Sequence, residues 1–329
     1  MVLKTRVTEI LGIKHPIVCG GMMWVGVAEL AAAVSNAGGL GIITALTQPT
    51  PEDLRKEIRK LRTLTDKPFA VNLTILPAIV PPPYEEYANV IIEEGVKIVE
   101  TAGNNPKKWV AMFKKAGIIC IHKAVAVRHA KTAQRVGVDI ISVDGFECAG
   151  HPGEDDIPNM VLLARCAAEL DVPFIASGGI GDGRGLAAAL ALGADGINMG
   201  TRFMCTTESR IHENIKKQMV ESDERDTVLM FRTLRNTARV FKNKISKEVV
   251  RIESLPGKTD FKDLAALVSG RRGRTVYEGG DPDAGIWSAG VVMGLIHDIP
   301  TCKDLIERIA NDAETIIRDR LSGILSSKL

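Results

Sequence analysis

The chain has 329 residues, with 42 Lys and Arg against 40 Asp and Glu and a net charge of +2. No concentrated basic face is therefore expected, which argues against a nucleic-acid or membrane-surface protein. Apolar residues make up 45% and charged residues 25%, a globular composition that excludes a disordered chain.

Length alone suggests about two domains, although α/β barrels run longer as one unit. The first residues carry Lys4, Arg6 and Glu9 with no apolar core between them, so no signal peptide is expected. The longest apolar runs, 187–192 and 289–296, fall far short of the ~18 residues of a membrane span. Cys19, Cys120, Cys148, Cys166, Cys205 and Cys302 are scattered singly without a CxxC pair. That usage suits free thiols in a cytoplasmic protein.

Short β-branched runs recur along the chain at 16–19, 40–43, 69–72, 96–99, 118–121, 139–143, 173–176 and 196–199. Helix-like stretches separate them at 27–37, 51–64, 84–94, 106–116, 127–136, 158–170 and 183–192. Near-continuous apolar strands of this kind are buried on both faces, as in parallel sheets. Pro51, Pro106 and Pro158 stand in first helical turns, and Gly38, Gly95, Gly117, Gly137 and Gly193 close helices. A doubly wound open sheet is the alternative, but eight regular units favour a closed TIM (β/α)8 barrel. The barrel is expected to comprise 1–206 and 286–329.

Residues 207–285 break the rhythm and read as a mostly helical insertion packed near the barrel mouth. Helices are expected there at 220–228 and 232–245, with a turn at 256–260. A barrel helix near 286–296 and an amphipathic tail helix over 301–325 complete the chain. The insertion or the tail could serve a homodimer interface.

In such a barrel, chemistry sits at the C-terminal ends of the strands. Those ends here are rich in glycine and polar groups: Gly20-Gly21-Met22, Asn72-Leu73-Thr74, Thr101-Ala102-Gly103-Asn104, His122-Lys123, Asp144-Gly145, Ser177-Gly178-Gly179 and Gly200-Thr201-Arg202. The helix-to-strand joints carry no comparable cluster. The last two loops occupy the usual barrel position for a phosphate group, with glycine N–H groups and the following helix N-terminus attracting the anion. A Rossmann fingerprint fails, because Arg184 stands where its third glycine belongs.

The loop after strand six sets His151 among glycines and carboxylates, which suits a proton acceptor or hydrogen-bond donor to substrate. A structural histidine is the bland alternative, and a zinc site from Cys148 and His151 lacks a second ligand pair. Strand alternation points either Lys123 or its neighbour His122 at the mouth. Lys123 would stabilise an electron-rich ring or, with a lowered pKa, form a Schiff base. Met22, Met23 and Trp24 form an apolar wall or a piece of core. The proline-rich stretch 77–83 is either a lid or a rigid spacer.

Together these segments resemble the FMN-dependent nitronate monooxygenase family, also called 2-nitropropane dioxygenases. The residues that carry the resemblance include Phe69-Ala70-Val71-Asn72-Leu73-Thr74, Glu100-Thr101-Ala102-Gly103-Asn104, Asp144-Gly145-Phe146-Glu147-Cys148-Ala149-Gly150-His151, Ala176-Ser177-Gly178-Gly179 and Asn198-Met199-Gly200-Thr201-Arg202. Leu234-Arg235-Asn236-Thr237-Ala238-Arg239 and Gly285-Ile286-Trp287-Ser288-Ala289-Gly290 extend it through and beyond the insertion. The likeness is strongest to the bacterial NADH:quinone reductase branch.

The resemblance implies noncovalent FMN with NADH as electron donor. Gly21, Met22, Met23, Asn72 and Thr74 would line the flavin, with Lys123 near its ring and Asp144, Ala149 and Gly150 at its rim. Ser177, Gly178, Gly179, Gly200 and Thr201 would hold the phosphate, and His151 would lie over the ring. Cys19 and Met23 depart from the pattern, standing where glutamine is expected, which bears on hydrogen bonding to the flavin. The activities implied are quinone reduction or, alternatively, oxidation of alkyl nitronates with O2. An FMN-dependent enoyl-thioester reductase and a flavin-free sugar-phosphate barrel enzyme are further alternatives.

Overall fold

The computed structural model describes residues 3–76, 81–257 and 259–325. Eight parallel strands close into a barrel in sequence order: β1 (Ile17–Cys19), β2 (Leu40–Thr44), β3 (Phe69–Ile75), β4 (Ile98–Gly103), β5 (Ile119–Ala124), β6 (Ile140–Asp144), β7 (Phe174–Ser177) and β8 (Ile197–Met199). Closure is made by β1 lying against β8, with Val18 opposite Asn198. All eight strands read from the sequence are present, and the TIM barrel is confirmed.

A short helix α1 (Arg6–Leu11) precedes the barrel. The outer layer is α2 (Ala28–Asn36), α3 (Pro51–Leu64), α4 (Tyr84–Glu93), α5 (Lys107–Lys115), α6 (Val127–Arg135), α7 (Asn159–Glu169) and α8 (Gly183–Ala191). A four-residue helix α9 (Thr201–Met204) follows β8.

Inward-pointing side chains alternate along each strand. Val18, Ile42, Ala70, Ile98, Ile121, Ile140 and Ile175 fill the lower interior, and Val7 and Leu11 of α1 pack into the same cluster. This plug closes the N-terminal end of the barrel. The outer faces of the strands pack against the surrounding helices in one large core.

The 207–285 segment departs from its sequence reading in one respect. Helix α10 (Glu213–Val220) ends where the first insertion helix was expected to begin. In place of helices at 220–228 and 232–245 there is an antiparallel hairpin, β9 (Thr227–Met230) and β10 (Ala238–Phe241). Val228-Leu229-Met230-Phe231 is a continuous apolar run without alternation, which a helix segment can share, so its strand character is settled only by pairing with the partner strand. Its small core of Met230, Phe231, Ala238 and Val240 packs with Val249 and Leu264. These come from α11 (Lys244–Glu253) and α12 (Phe261–Val268), which α13 (Gly270–Gly279) follows.

The helix expected near 286–296 is a 3-10 turn over Val291–Leu295. The tail is α14 (Cys302–Thr315), continued by a π-helical stretch Ile316–Leu321. Among the described residues no helix is long and apolar enough to cross a membrane. All six cysteines are buried free thiols. Of the proline-rich stretch proposed as a lid, residues 77–80 lie outside the described residues.

Candidate active site

Two residues above the aliphatic floor, the same inward positions become polar. Asn72, Glu100, Lys123, Ser142 and Ser177 each stand two places after an interior aliphatic residue of their strand. Glu100 is fully buried and accepts from Gly21 N at 3.0 Å and Asn72 Nδ2 at 2.6 Å through one oxygen. Its other oxygen accepts from Asn198 Nδ2 at 3.3 Å. Asn72 Oδ1 in turn accepts from Thr74 Oγ1 at 2.9 Å. On the far side Asn198 Nδ2 donates to Ser142 Oγ (3.1 Å), and Ser142 Oγ donates to Asp144 Oδ1 (3.3 Å). Asp144 Oδ2 faces Lys123 Nζ at 3.4 Å. One connected polar layer thus joins β3, β4, β5, β6, β8 and the loop after β1. Buried networks of this kind are stable only when their members are satisfied.

The close packing of this layer explains the first glycine pair. A Cβ on Gly21 would lie 2.4 Å from Asn72 Cβ, and one on Gly20 would lie 2.5 Å from Asn198 Oδ1. Burial alone would lower the Lys123 pKa, but the Asp144 and Glu100 carboxylates outweigh it and hold the pKa above the ordinary lysine value. Lys123 is therefore a fixed cation, which removes the Schiff-base reading, since that chemistry needs a lowered pKa. His122 points away from the interior, with Nδ1 2.9 Å from Thr101 Oγ1. Burial pulls its pKa down to about 4.

Above the polar layer lies a cavity of about 1130 Å3, beyond the ~300–1,000 Å3 of common small-molecule sites. It has room for more than one ligand. Gly21, Met22 and Met23 line it from the loop after β1, and Asn72 and Thr74 from β3. Lys123 and Asp144 line it from β5 and β6, and Ala149, Gly150 and His151 from the loop after β6. Ser177, Gly178 and Gly179 follow β7, and Gly200 and Thr201 follow β8. Every site residue expected from the sequence lines this one cavity.

His151 is solvent-exposed at the cavity wall, with protein covering only part of its ring. That partial burial lowers its pKa from the usual histidine value, with Glu154 opposing the shift. The imidazole is accordingly neutral at pH 7, able both to donate and to accept a hydrogen bond. Cys148 has its thiol pKa pushed up by burial and is no nucleophile. Among the described residues no group of three His, Cys, Asp or Glu could hold a metal ion.

Gly178 and Gly179 have φ values of +96° and +73°, a left-handed pair that turns the backbone after β7. Asn159 at the start of α7 braces this turn, its Nδ2 donating to Ser177 O (2.8 Å) and Gly178 O (2.7 Å). One element of the phosphate expectation is corrected. The N-terminus of α8 is already capped, since Asp182 accepts from the N–H groups of Arg184 and Gly185. Its acid occupies the place of an external anion, so any anion is left to the glycine turn and to residues 200–201. Thr201 Oγ1 is held by the Gly290 N–H at 3.0 Å. Of the two departures from the family pattern, Cys19 is buried on the outer face of β1 and does not line the cavity. Met23 is exposed at the cavity rim, its sulfur accepting from Thr47 Oγ1 at 3.7 Å.

Glu100, Ser142, Asn159 and Asn198 were not singled out as site residues from the sequence. The signal for three of them is a polar residue at an inward position of an apolar strand, legible once strand parity is known. Asn159 has no such signal. Thr237 and Ala238 of the hairpin also line the cavity, as do Gly290 and Val292 from beyond it.

Barrel, polar upper interior and glycine-lined cavity together define a (β/α)8 fold with one large cavity at the C-terminal ends of its strands. The chain belongs to the nitronate monooxygenase family, whose profile matches residues 4–312. These are flavin-dependent enzymes, and the chain is an oxidoreductase. It is similar over its length to the structure of FabK from Thermotoga maritima (TM-score 0.90, 37% identity, 98% of this chain and 99% of that one). It is also 33% identical, over 94% of this chain and 96% of the relative, to a (3aS,4S,5R,7aS)-5-hydroxy-7a-methyl-1-oxo-octahydro-1H-indene-4-carboxyl-CoA dehydrogenase of Rhodococcus jostii. A nitronate monooxygenase of Paraburkholderia phytofirmans is 34% identical over 68% of this chain and 72% of its own length.

Proposed function

We propose that the protein is an NADH:quinone reductase that uses noncovalent FMN. The observation that carries this reading is one cavity, large enough for a flavin and a second flat ring, with a neutral imidazole at its wall and a fixed cation within it. The residues present fit FMN. The Gly178–Gly179 turn and Thr201 supply donors suited to its phosphate, Asn72 and Thr74 offer side-chain polar atoms to its ring, and Lys123 suits an electron-rich ring edge.

Bound there, FMN would supply two-electron transfer between a nicotinamide and the acceptor. Lys123, anchored by Asp144, would hold a positive charge beside the bound group, suited to stabilising negative charge there. Glu100 holds the Gly21 loop and Asn72 in fixed positions at the cavity. His151 donates its ring N–H to a quinone carbonyl oxygen and orients the acceptor.

Anaerobic stopped-flow mixing tests the proposal. NADH should bleach the flavin, and a benzoquinone should restore its colour; a flavin left oxidised by NADH overturns the reading. Nitronate oxidation is the second reading, supported by the family match and by the relative named as a nitronate monooxygenase; turnover of an alkyl nitronate with O2 would favour it. An acyl-thioester substrate is supported by the full-length similarity to a carboxyl-CoA dehydrogenase, and bleaching reversed by an enoyl-CoA would select it. A colourless purified protein that binds no flavin would return the sugar-phosphate alternative.

A further inference from the structure

The loop that carries His151 is tied to the β9–β10 hairpin on both sides of the histidine. Before it, Gly150 and Arg239 exchange backbone hydrogen bonds, 3.0 Å from Gly150 N and 2.6 Å from Arg239 N. The buried Arg239 guanidinium lies 4.7 Å from the centre of the Phe146 ring and donates to Phe146 O at 3.0 Å. A further donation to Thr227 Oγ1 at 3.0 Å fixes it to β9. After the histidine, Glu154 accepts from Thr237 N at 2.7 Å and from Thr237 Oγ1 at 2.6 Å. Arg232 reaches Asp156 with distances of 3.0 and 2.9 Å.

These contacts differ in worth. Arg232 and Asp156 are both exposed, and such a pair contributes little. Thr237 is buried, and its two donors meet the two oxygens of one carboxylate, a charge-assisted arrangement of greater strength. The Gly150–Arg239 bridge adds backbone pairing within a strand-like geometry. Between these anchors only residues 151–153 are unsupported by the hairpin.

We propose that the β9–β10 hairpin is a positioning element for the His151 imidazole, acting through the Thr237–Glu154 clamp and the Arg239 bridge to Gly150 and Phe146. This rests on the reading that His151 contacts the electron acceptor. A misplacement of 1 Å in such a group costs about 100-fold in rate, so a loop held from one side only would be poorly suited to the role.

Other charged groups around the loop are engaged elsewhere: Arg128 with Asp155, Lys123 with Asp144, and Glu147 with the Asn159 N–H. His129 and Arg235 also line the cavity, from α6 and the hairpin turn. Glu154 is the carboxylate that raises the His151 pKa against the effect of burial.

The test uses flavin-loaded protein and compares Thr237→Val, Thr237→Ser, Glu154→Gln and His151→Ala. The His151 ring resonance, assigned by its loss in His151→Ala, is followed by NMR titration. Flavin reduction by NADH and reoxidation by a benzoquinone are measured separately. Thr237→Val should move the His151 resonance and slow reoxidation about 10-fold or more, a larger effect than on reduction by NADH, with Thr237→Ser restoring both. Glu154→Gln, which removes the carboxylate charge from the clamp, should lower the His151 titration midpoint. A resonance, midpoint and reoxidation rate unaltered in Thr237→Val and Glu154→Gln overturn the positioning proposal. If instead Thr237→Val moves the resonance while His151→Ala reoxidises normally, the hairpin does position the ring and the functional reading of His151 fails.

Discussion

The lower and upper halves of the barrel interior are built from the same strands and the same alternation, yet they do opposite things. Below, Val18, Ile98, Ile121, Ile140 and Ile175 meet the α1 plug in a dry aliphatic layer. One step higher, Glu100, Lys123, Ser142 and Asn198 form a connected polar layer under the cavity. The lower layer is stabilised by apolar burial, which tolerates similar shapes. The upper one depends on each donor meeting its acceptor, so its residues are far less exchangeable. A barrel thus separates stability from chemistry within a single strand, two residues apart.

That separation can be broken in graded ways. The largest expected effect is on turnover alone: His151→Ala should slow acceptor reduction about 10²–10⁴-fold, with thermal unfolding nearly unchanged because the side chain is exposed. Stopped-flow and calorimetry on one preparation check both halves. Ile121→Ala should do the reverse, costing about 2–5 kcal/mol of stability in urea titrations while the flavin dissociation constant holds. A large loss of flavin affinity in that variant would show that the two layers are not independent.

His122 offers a pH test. Burial holds its folded-state pKa near 4, below its unfolded value of about 6.5, so the fold favours the neutral ring. Its contribution is complete above about pH 6.5 and is lost as pH falls toward 4, roughly 3 kcal/mol in all. Denaturation midpoints between pH 7 and 4 should flatten in His122→Asn relative to the parent protein. The smallest effect is expected for Glu100→Gln, where one amide hydrogen must face a donor from Gly21, Asn72 or Asn198. It should cost about 1–3 kcal/mol, read as weaker flavin binding more than as lower barrel stability.

Much of the barrel was legible because its signals are local. Eight apolar runs, the Pro51 helix start and closing glycines such as Gly38 and Gly193 each mark an element by short-range rules. The strand ends likewise announced the site through Gly20-Gly21-Met22 and Ser177-Gly178-Gly179. The hairpin over 227–241 was hidden because its pairing joins residues whose strand character depends on a partner. The α8 terminus was misread for a related reason: Asp182 could point outward or fold back to cap its own helix, and only the folded backbone selects the cap.

Local sequence determined which segments are strands, which loops are glycine-rich and which residues carry chemistry, since propensity, capping and turn chemistry act over a few residues. Tertiary structure decided what those residues meet. Glu100 became the centre of the polar layer only when β4 was set between β3 and β5 with Asn198 facing it across the barrel. The His151 loop met the hairpin only when residues almost 90 positions apart paired at Gly150 and Arg239. Such encounters follow from barrel closure and packing, which no local pattern encodes.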